Sequence, residues 1–365
     1  MTVAICLGGA SRSNMLELQI IELTSLPLLG LAVWGLAWKP LPPTIRFPVF
    51  LLCAAFAILI LQLIPMPDSW WSKLPGHGPA AQIRGLSGVA PGWSPISLLP
   101  AETLSHALAL LPPTAVFLAV ARMRSEQKRW LTLIPLALAI VSVTLGAAQV
   151  AGGPESRLYF YEHANIGSAV GLFVNRNHQA ALLVTSLPLA ALWLNLDRHQ
   201  MRKTLVPVAF AMGLFLVEIV ALIEVKSRAG VLLLGPAIVA SLMLVWRSER
   251  GEGRRGATLL GGFVAVALVI ALAVGIGPVM DRFTGANDLE EGGRFATVMT
   301  TARAALEYLP FGSGSGTFVP VFAGHENVAY MGSKYWNHAH NEFVETFLET
   351  GLPGLIAMAG FLYWV

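Results

Sequence analysis

Long runs of apolar residues, each about the length needed to cross a bilayer and separated by short charged clusters, constrain this chain more than any other feature. A hydrocarbon core of roughly 30 Å takes about 20 apolar residues in a helix that bonds every backbone amide internally. Eight blocks meet that condition: Leu18 to Trp38, Thr44 to Ile64, Leu104 to Ala121, Trp130 to Val150, Gln179 to Leu196, Thr204 to Val225, Ala229 to Trp246 and Ala257 to Gly277. A ninth begins near Gly351 and stops at Val365, about three-quarters of a crossing, so the pattern predicts a truncated final span. The expected fold is therefore an all-α polytopic membrane protein with at least eight to nine transmembrane helices. A soluble core could not hide a chain that is 55% hydrophobic and only 12% charged, about half the charge usual in globular domains.

The basic residues follow the loops. Arg122, Arg124, Lys128 and Arg129 fill one short connection, Arg198, Arg202 and Lys203 another, and Arg247, Arg250, Arg254 and Arg255 a third. These are every second loop and hold eleven of the 24 Lys and Arg residues, so the positive-inside rule makes them cytoplasmic. The segments Pro65 to Thr103, Ala151 to His178, Lys226 to Arg228 and Pro278 to Thr350 then face outward, and functional residues are expected there. Counting back puts the N-terminus outside, and the first residues lack the basic stretch of a signal peptide. The net charge of +3 is explained by topology and calls for no nucleic acid. Cys6 and Cys53 suit neither a disulfide framework nor a metal site.

In the first outer segment, Trp70, Trp71 and Trp93 lie among Pro and Gly residues. Indole rings favour the headgroup layer, which makes them interfacial anchors; stacking on a glycan is the alternative. The second outer segment ends in Asn175-Arg176-Asn177-His178 at the mouth of a span. One of these side chains can cap the helix start, but capping needs one and not four, which leaves the others for substrate. Glu218 and Glu224 lie within an apolar block, where acids are costly and so count as functional candidates. Glu224 is expected to pair with Lys226 or Arg228, and Glu218 to be protonated, paired or turned to a polar cavity. The turn Lys226-Ser227-Arg228-Ala229-Gly230 is so tight that Arg228 is held near the membrane surface, as a snorkelling side chain or as an anion-binding one.

Residues 278–350 form the one outer stretch long enough to fold over the membrane face. A helix is predicted from Gly293 to Tyr308 with Arg294 in its first turn. The run Phe311-Gly312-Ser313-Gly314-Ser315-Gly316 follows. It reads as a flexible turn or as a pyrophosphate contact, and it lacks the Gly-Lys-Ser ending of a nucleotide loop. Then come Trp336-Asn337-His338-Ala339-His340-Asn341-Glu342, a helical stretch, and Gly351-Leu352-Pro353-Gly354. His338 and His340, with His325 or Glu342 as a third ligand, could serve zinc, although no His-Glu-x-x-His helix or cysteine cluster accompanies them.

The pattern of His340-Asn341, nine residues and Gly351-x-x-Gly354 resembles the signature of the O-antigen ligase and polymerase family. The clusters at Asn175 to His178 and Ser227 to Gly230, and Arg294 early in the large loop, agree in order and position. The resemblance covers residues 157–365 and divides the chain into N-terminal transmembrane helices (1–150) and an O-antigen ligase-like domain (151–365), whose outer loop is 278–350. It implies a bacterial inner-membrane glycosyltransferase with its active site facing the periplasm. Such an enzyme moves a glycan from an undecaprenyl-pyrophosphate carrier to a glycan or lipid A core acceptor without metal or cofactor. By matching position, Arg228 and Arg294 would neutralise the pyrophosphate, and His340 would act as general base. Asn175, Arg176, Asn177, His178 and Asn341 would bind substrate; His338 matches no motif position.

The chemistry is coherent in its own right. Guanidiniums bind a departing pyrophosphate bidentately, and an imidazole accepts a hydroxyl proton near neutral pH. Two rivals remain: a metalloenzyme built on the three histidines, and a transporter or flippase of lipid-linked glycans. The second is weakened by the lack of repeated halves.

Overall fold

The apolar blocks fold into helices, the one open-chain structure that spans lipid without orphaned amides. The computed structural model describes residues 15–38, 40–161, 164–196, 206–225, 227–248, 288–326 and 336–364. In chain order the helices are α1 (Met15–Trp38), α2 (Pro43–Leu63), α3 (Asp68–Trp71), α4 (Gly78–Leu86), α5 (Pro100–Ala109), α6 (Leu111–Arg122) and α7 (Ser125–Ala151). They continue with α8 (Arg176–Leu196), α9 (Val206–Val225), α10 (Arg228–Ser248), α11 (Asp288–Glu307), α12 (Phe318–His325) and α13 (Glu342–Trp364). Two short antiparallel strands, β1 (Pro65–Pro67) and β2 (Trp93–Pro95), pair Met66 with Ser94.

Among the described residues, five helical stretches are long and apolar enough to cross a membrane: Leu16–Leu36, Pro43–Leu63, Pro100–Arg122, Ser125–Ala151 and Glu342–Trp364. The chain is a mostly helical multi-pass membrane protein. The blocks expected around Gln179, Thr204 and Ala229 form α8, α9 and α10, and the block at Ala257 to Gly277 lies outside the described residues. Pro27, Pro48, Pro135, Pro188, Pro236 and Pro353 all lie inside helices. An interior proline costs a water-soluble helix about 3 kcal/mol and is far commoner in membrane helices. On α1, Leu16, Leu23, Leu31, Trp34 and Trp38 are all exposed, an apolar surface suited to lipid.

Two boundaries differ from expectation. α11 starts at Asp288 rather than Gly293, so Arg294 lies in its second turn. α13 runs from Glu342 through the predicted end of the outer loop, and its backbone leaves helical geometry only at Gly351 (φ 61°, ψ −147°).

The chain divides into two compact units. The first holds Met1–Thr24 and Arg122–Gly285, with α8 at its centre and α7, α9 and α10 packed on it. Small residues (Ala139, Ala180, Ala190, Ala191 and Ala237) are buried beside Leu183, Leu187, Phe215 and Ile219, which lets the backbones approach as membrane helices require. A Cβ on Gly230 would lie 2.7 Å from the Ala180 Cβ, so the start of α10 fits against α8 only as glycine.

The second unit holds Ser25–Ala121 and Ala286–Val365. Here α13 packs on α2 and α11, and α12 closes over both α11 and α13. Its core is Ala304, Ala305, Tyr308, Phe318, Val321, Phe322, Ala339 and Leu348. The segment between α2 and α5 forms a small lobe. In it the Asp68 carboxylate accepts from the Gly92 N–H (2.6 Å) and the Ser94 hydroxyl (2.8 Å), and pairs with Arg84 (3.3 Å). Trp70 and Trp93 are exposed, but Trp71 is buried against His77 and under the Arg84 guanidinium. Trp71 is thus the core of the lobe and not an interfacial anchor.

Candidate functional site

In the first unit, the cluster at the mouth of α8 divides its labour. The Asn175 carboxamide oxygen accepts the Asn177 N–H (2.8 Å), and the Asn175 carbonyl accepts the His178 N–H (3.0 Å), so Asn175 is the helix cap. Asn165 takes the Arg176 N–H (3.0 Å). The Asn177 carboxamide oxygen accepts from the Ser227 hydroxyl at 2.8 Å. That hydroxyl also accepts the Gly230 N–H (3.1 Å), which makes Ser227 the cap of α10. Two sequence clusters 50 residues apart are therefore joined, and Arg176 and Arg228 are the first residues of two neighbouring helices. Helix N-termini carry partial positive charge and free N–H groups. His178 is exposed, with its ring edge-on to Phe173.

The preceding segment is bound from below. Gln149 donates to the carbonyls of Leu158 and Gly171 and accepts the Gly171 N–H, with all three distances between 2.8 and 2.9 Å. Ser142 donates to the Gln179 carboxamide (2.5 Å) and accepts the Leu172 N–H (3.0 Å). Within the helices, Ser186 donates to the buried Glu218 carboxyl (2.5 Å), so Glu218 has a partner across to α8. Glu224 is exposed; Lys226 and the Arg228 side chain, its expected partners, lie outside the described residues, as does the Arg294 side chain.

In the second unit, Asn341 caps α13, its carboxamide oxygen accepting from the N–H groups of Phe343 (3.1 Å) and Val344 (3.2 Å). His340 stands just before it, exposed, in the left-handed region (φ 54°), with the Trp336 ring edge-on at 5.8 Å. From His340 to Gly351 is about three helical turns, roughly 17 Å. The spacing of the motif is thus the distance along α13 from its cap to its break. A Cβ at Gly351 would meet the Pro310 carbonyl, and the Leu352 N–H bonds that same oxygen (3.0 Å).

The glycine-rich run is neither a flexible turn nor open to an external phosphate. Ser313, Ser315 and Thr317 are buried, and the run wraps the end of the first half of α13. The N–H groups of Ser313 and Gly314 bond the carbonyls of Leu348 and Glu349, both at 2.9 Å. The group it packs around belongs to the chain: the buried Glu349 carboxyl accepts the Phe318 N–H (3.1 Å), and the Ser315 hydroxyl approaches it at 3.5 Å. Gly312 is required because a side chain there would run into the Glu349 carbonyl. Gln62, from α2, completes the arrangement. It donates to the carbonyls of Glu349 (2.7 Å) and Phe311 (3.2 Å) and accepts the Ser315 N–H (3.1 Å).

Residues 213–359 match the family model described as O-antigen ligase. This stretch is similar to the O-antigen ligase family. Arg228, Arg294, His340, Asn341, Gly351 and Gly354 fall within the matched stretch, and Asn175 to His178 precede it. No curated protein and no solved structure matches the chain. The match supports glycan transfer of the O-antigen ligase and polymerase type.

The structure brings Asn177 to Ser227 and sets His340 beside Asn341. It does not bring His325 to His338 and His340: His325 bonds the Val321 carbonyl (2.8 Å) and Glu307 (3.2 Å). Among the described residues, no three His, Cys, Asp or Glu side chains converge as a metal-binding group. Sequence reasoning passed over Gln62, Glu345 and Glu349. Glu345 and Glu349 are four residues apart on one face of α13, and an acidic pair on the inner side of an apolar helix was the available signal.

Proposed function

We propose that the protein transfers a glycan from an undecaprenyl-pyrophosphate carrier to a hydroxyl of a glycan or lipid A core acceptor. It does so at the periplasmic face of a bacterial inner membrane, without metal or cofactor. The observation that carries this reading is the Asn177 to Ser227 hydrogen bond. It pairs two helix N-termini, each beginning with an arginine, in the manner that anions favour. In this reading Arg228 and Arg294 take up the charge of the pyrophosphate, and Arg176, Asn177 and His178 orient the donor around it. Asn175 and Asn341 contribute through the helix starts they cap.

As the acceptor oxygen bonds to the anomeric carbon, the bond from that carbon to the phosphate oxygen breaks and its electron pair leaves on the carrier. His340 takes the acceptor's proton. Charge-assisted bonds to the departing pyrophosphate strengthen as its charge grows, which makes them catalytic rather than merely adhesive.

The test is transfer by the full-length protein in membranes, comparing wild type with Arg228→Ala and Arg294→Ala at matched expression, with and without chelator. Both variants should lose at least about a hundredfold in rate, and chelator should change nothing. Full activity in either variant, or inhibition by chelator, contradicts the reading.

A further inference from the structure

His338 and Glu345 are left unassigned by this chemistry, yet they form a closely joined polar pair beside His340. The Glu345 carboxylate, largely buried in the first turns of α13, accepts from the His338 Nδ1 at 2.7 Å through one oxygen and from the Ala339 N–H at 2.8 Å through the other. A carboxylate can only accept, so the His338 Nδ1 carries the proton and its tautomer is set. Ala339 is fully buried. On the other side of His340, Asn341 is fixed by its two cap bonds, and its carbonyl accepts the Glu345 N–H at 3.0 Å. His340 is therefore held between two clamps, and Glu345 takes part in both.

The backbone at His340 shows why clamping is needed. A non-glycine residue in the left-handed region is disfavoured and persists only where its surroundings over-determine it. The Trp336 ring limits the imidazole from one side, but the peptide geometry is set by Ala339 and Asn341. We propose that Glu345 is a positioning residue for His340, acting through His338 and the Ala339 N–H and not by touching substrate. This rests on the reading of His340 as the base that receives the acceptor proton. It gives His338 a role as the charged or donating partner that keeps the Glu345 carboxylate oriented.

The experiment measures kcat, and KM for the lipid-linked donor, with full-length protein. Glu345→Gln, Glu345→Asp, His338→Gln and His340→Ala are compared with wild type, each normalised to folded protein by its thermal unfolding curve. A glutamine can still accept the Ala339 N–H, but it presents an N–H to the His338 Nδ1 and so forces that ring into the other tautomer and removes the charged partner. Glu345→Gln should lower kcat by about 10- to 100-fold, the scale of an ångström-sized misplacement, with donor KM within about twofold. Glu345→Asp should fall between it and wild type. His338→Gln, whose amide still donates to the carboxylate, should retain activity within about threefold.

The inference is overturned if Glu345→Gln keeps wild-type kcat while His340→Ala is inactive, or if its loss of rate disappears once rates are normalised to folded protein. If His340→Ala itself keeps full activity, the underlying assignment of the base fails instead.

Discussion

Replacing Gln62 tests whether the glycine-rich run is a built element. Gln62 is buried and makes three hydrogen bonds, accepting from the Ser315 N–H and donating to the carbonyls of Phe311 and Glu349. In Gln62→Ala the Glu349 carbonyl keeps its bond from the Gly314 N–H, whereas the Ser315 N–H loses its acceptor inside the protein. An orphaned buried donor costs about 1–3 kcal/mol, and each of the other two lost hydrogen bonds adds about 0.5–1.5 kcal/mol net, so about 2–6 kcal/mol is expected. Gln62→Glu should be worse. A carboxylate can still accept from Ser315 but meets two carbonyl oxygens with no proton to offer them, and it lies in the same polar cluster as the Glu349 carboxyl. Thermal unfolding in detergent should show wild type above Gln62→Ala by about 5–15 °C, with Gln62→Glu lower still. If Gln62→Glu unfolds with wild type, the run is not held as described.

Four further outcomes follow from the same contacts. Gly230→Val should push α10 from α8, cost about 1–3 kcal/mol by overpacking and break the Asn177 to Ser227 bond, so transfer should fall more than folded yield does. Trp71→Ala should destabilise the second unit by about 3–5 kcal/mol, whereas Trp70→Ala and Trp93→Ala should leave unfolding unchanged. In vesicles containing brominated lipid, the fluorescence of Trp70 and Trp93 should be quenched, as rings in the headgroup layer require. The Gly92 N–H, the Ser94 hydroxyl and Arg84 hold the Asp68 carboxyl below the usual carboxylate range; its contribution is therefore full above the unfolded carboxylate pKa and is lost as pH falls through the lower folded value. Limited proteolysis of the 65–95 lobe should begin only in acid, and at higher pH in Asp68→Asn.

The helices were legible because lipid leaves so few choices. α2 and α7 lie within a few residues of their apolar blocks, and α1 tolerates the interior Pro27 as a membrane helix does. The caps were legible in part: Asn175 follows the local rule for a helix start, and a helix was predicted after Asn341. What could not be read were contacts that depend on distant chain meeting. Gln62 bonds partners 249 and 287 positions away, and nothing in its own neighbourhood announces them. The glycine run was ambiguous because backbone N–H groups that could bind a phosphate can equally bond the chain's own acceptors; only the positions of the Leu348 and Glu349 carbonyls and of Gln62 decide between them. α11 begins five residues before the predicted Gly293, because the glycines there read as part of a turn and the helix instead runs through them.

The most direct test of the central claim is the rate of a single turnover of glycan transfer by His340→Ala, with and without added imidazole. The rate should fall about 10²- to 10⁴-fold, the usual worth of a general base, with donor binding unchanged and partial recovery as imidazole is added at a pH where it is neutral. A His340→Ala protein that transfers glycan at the wild-type rate would contradict that claim.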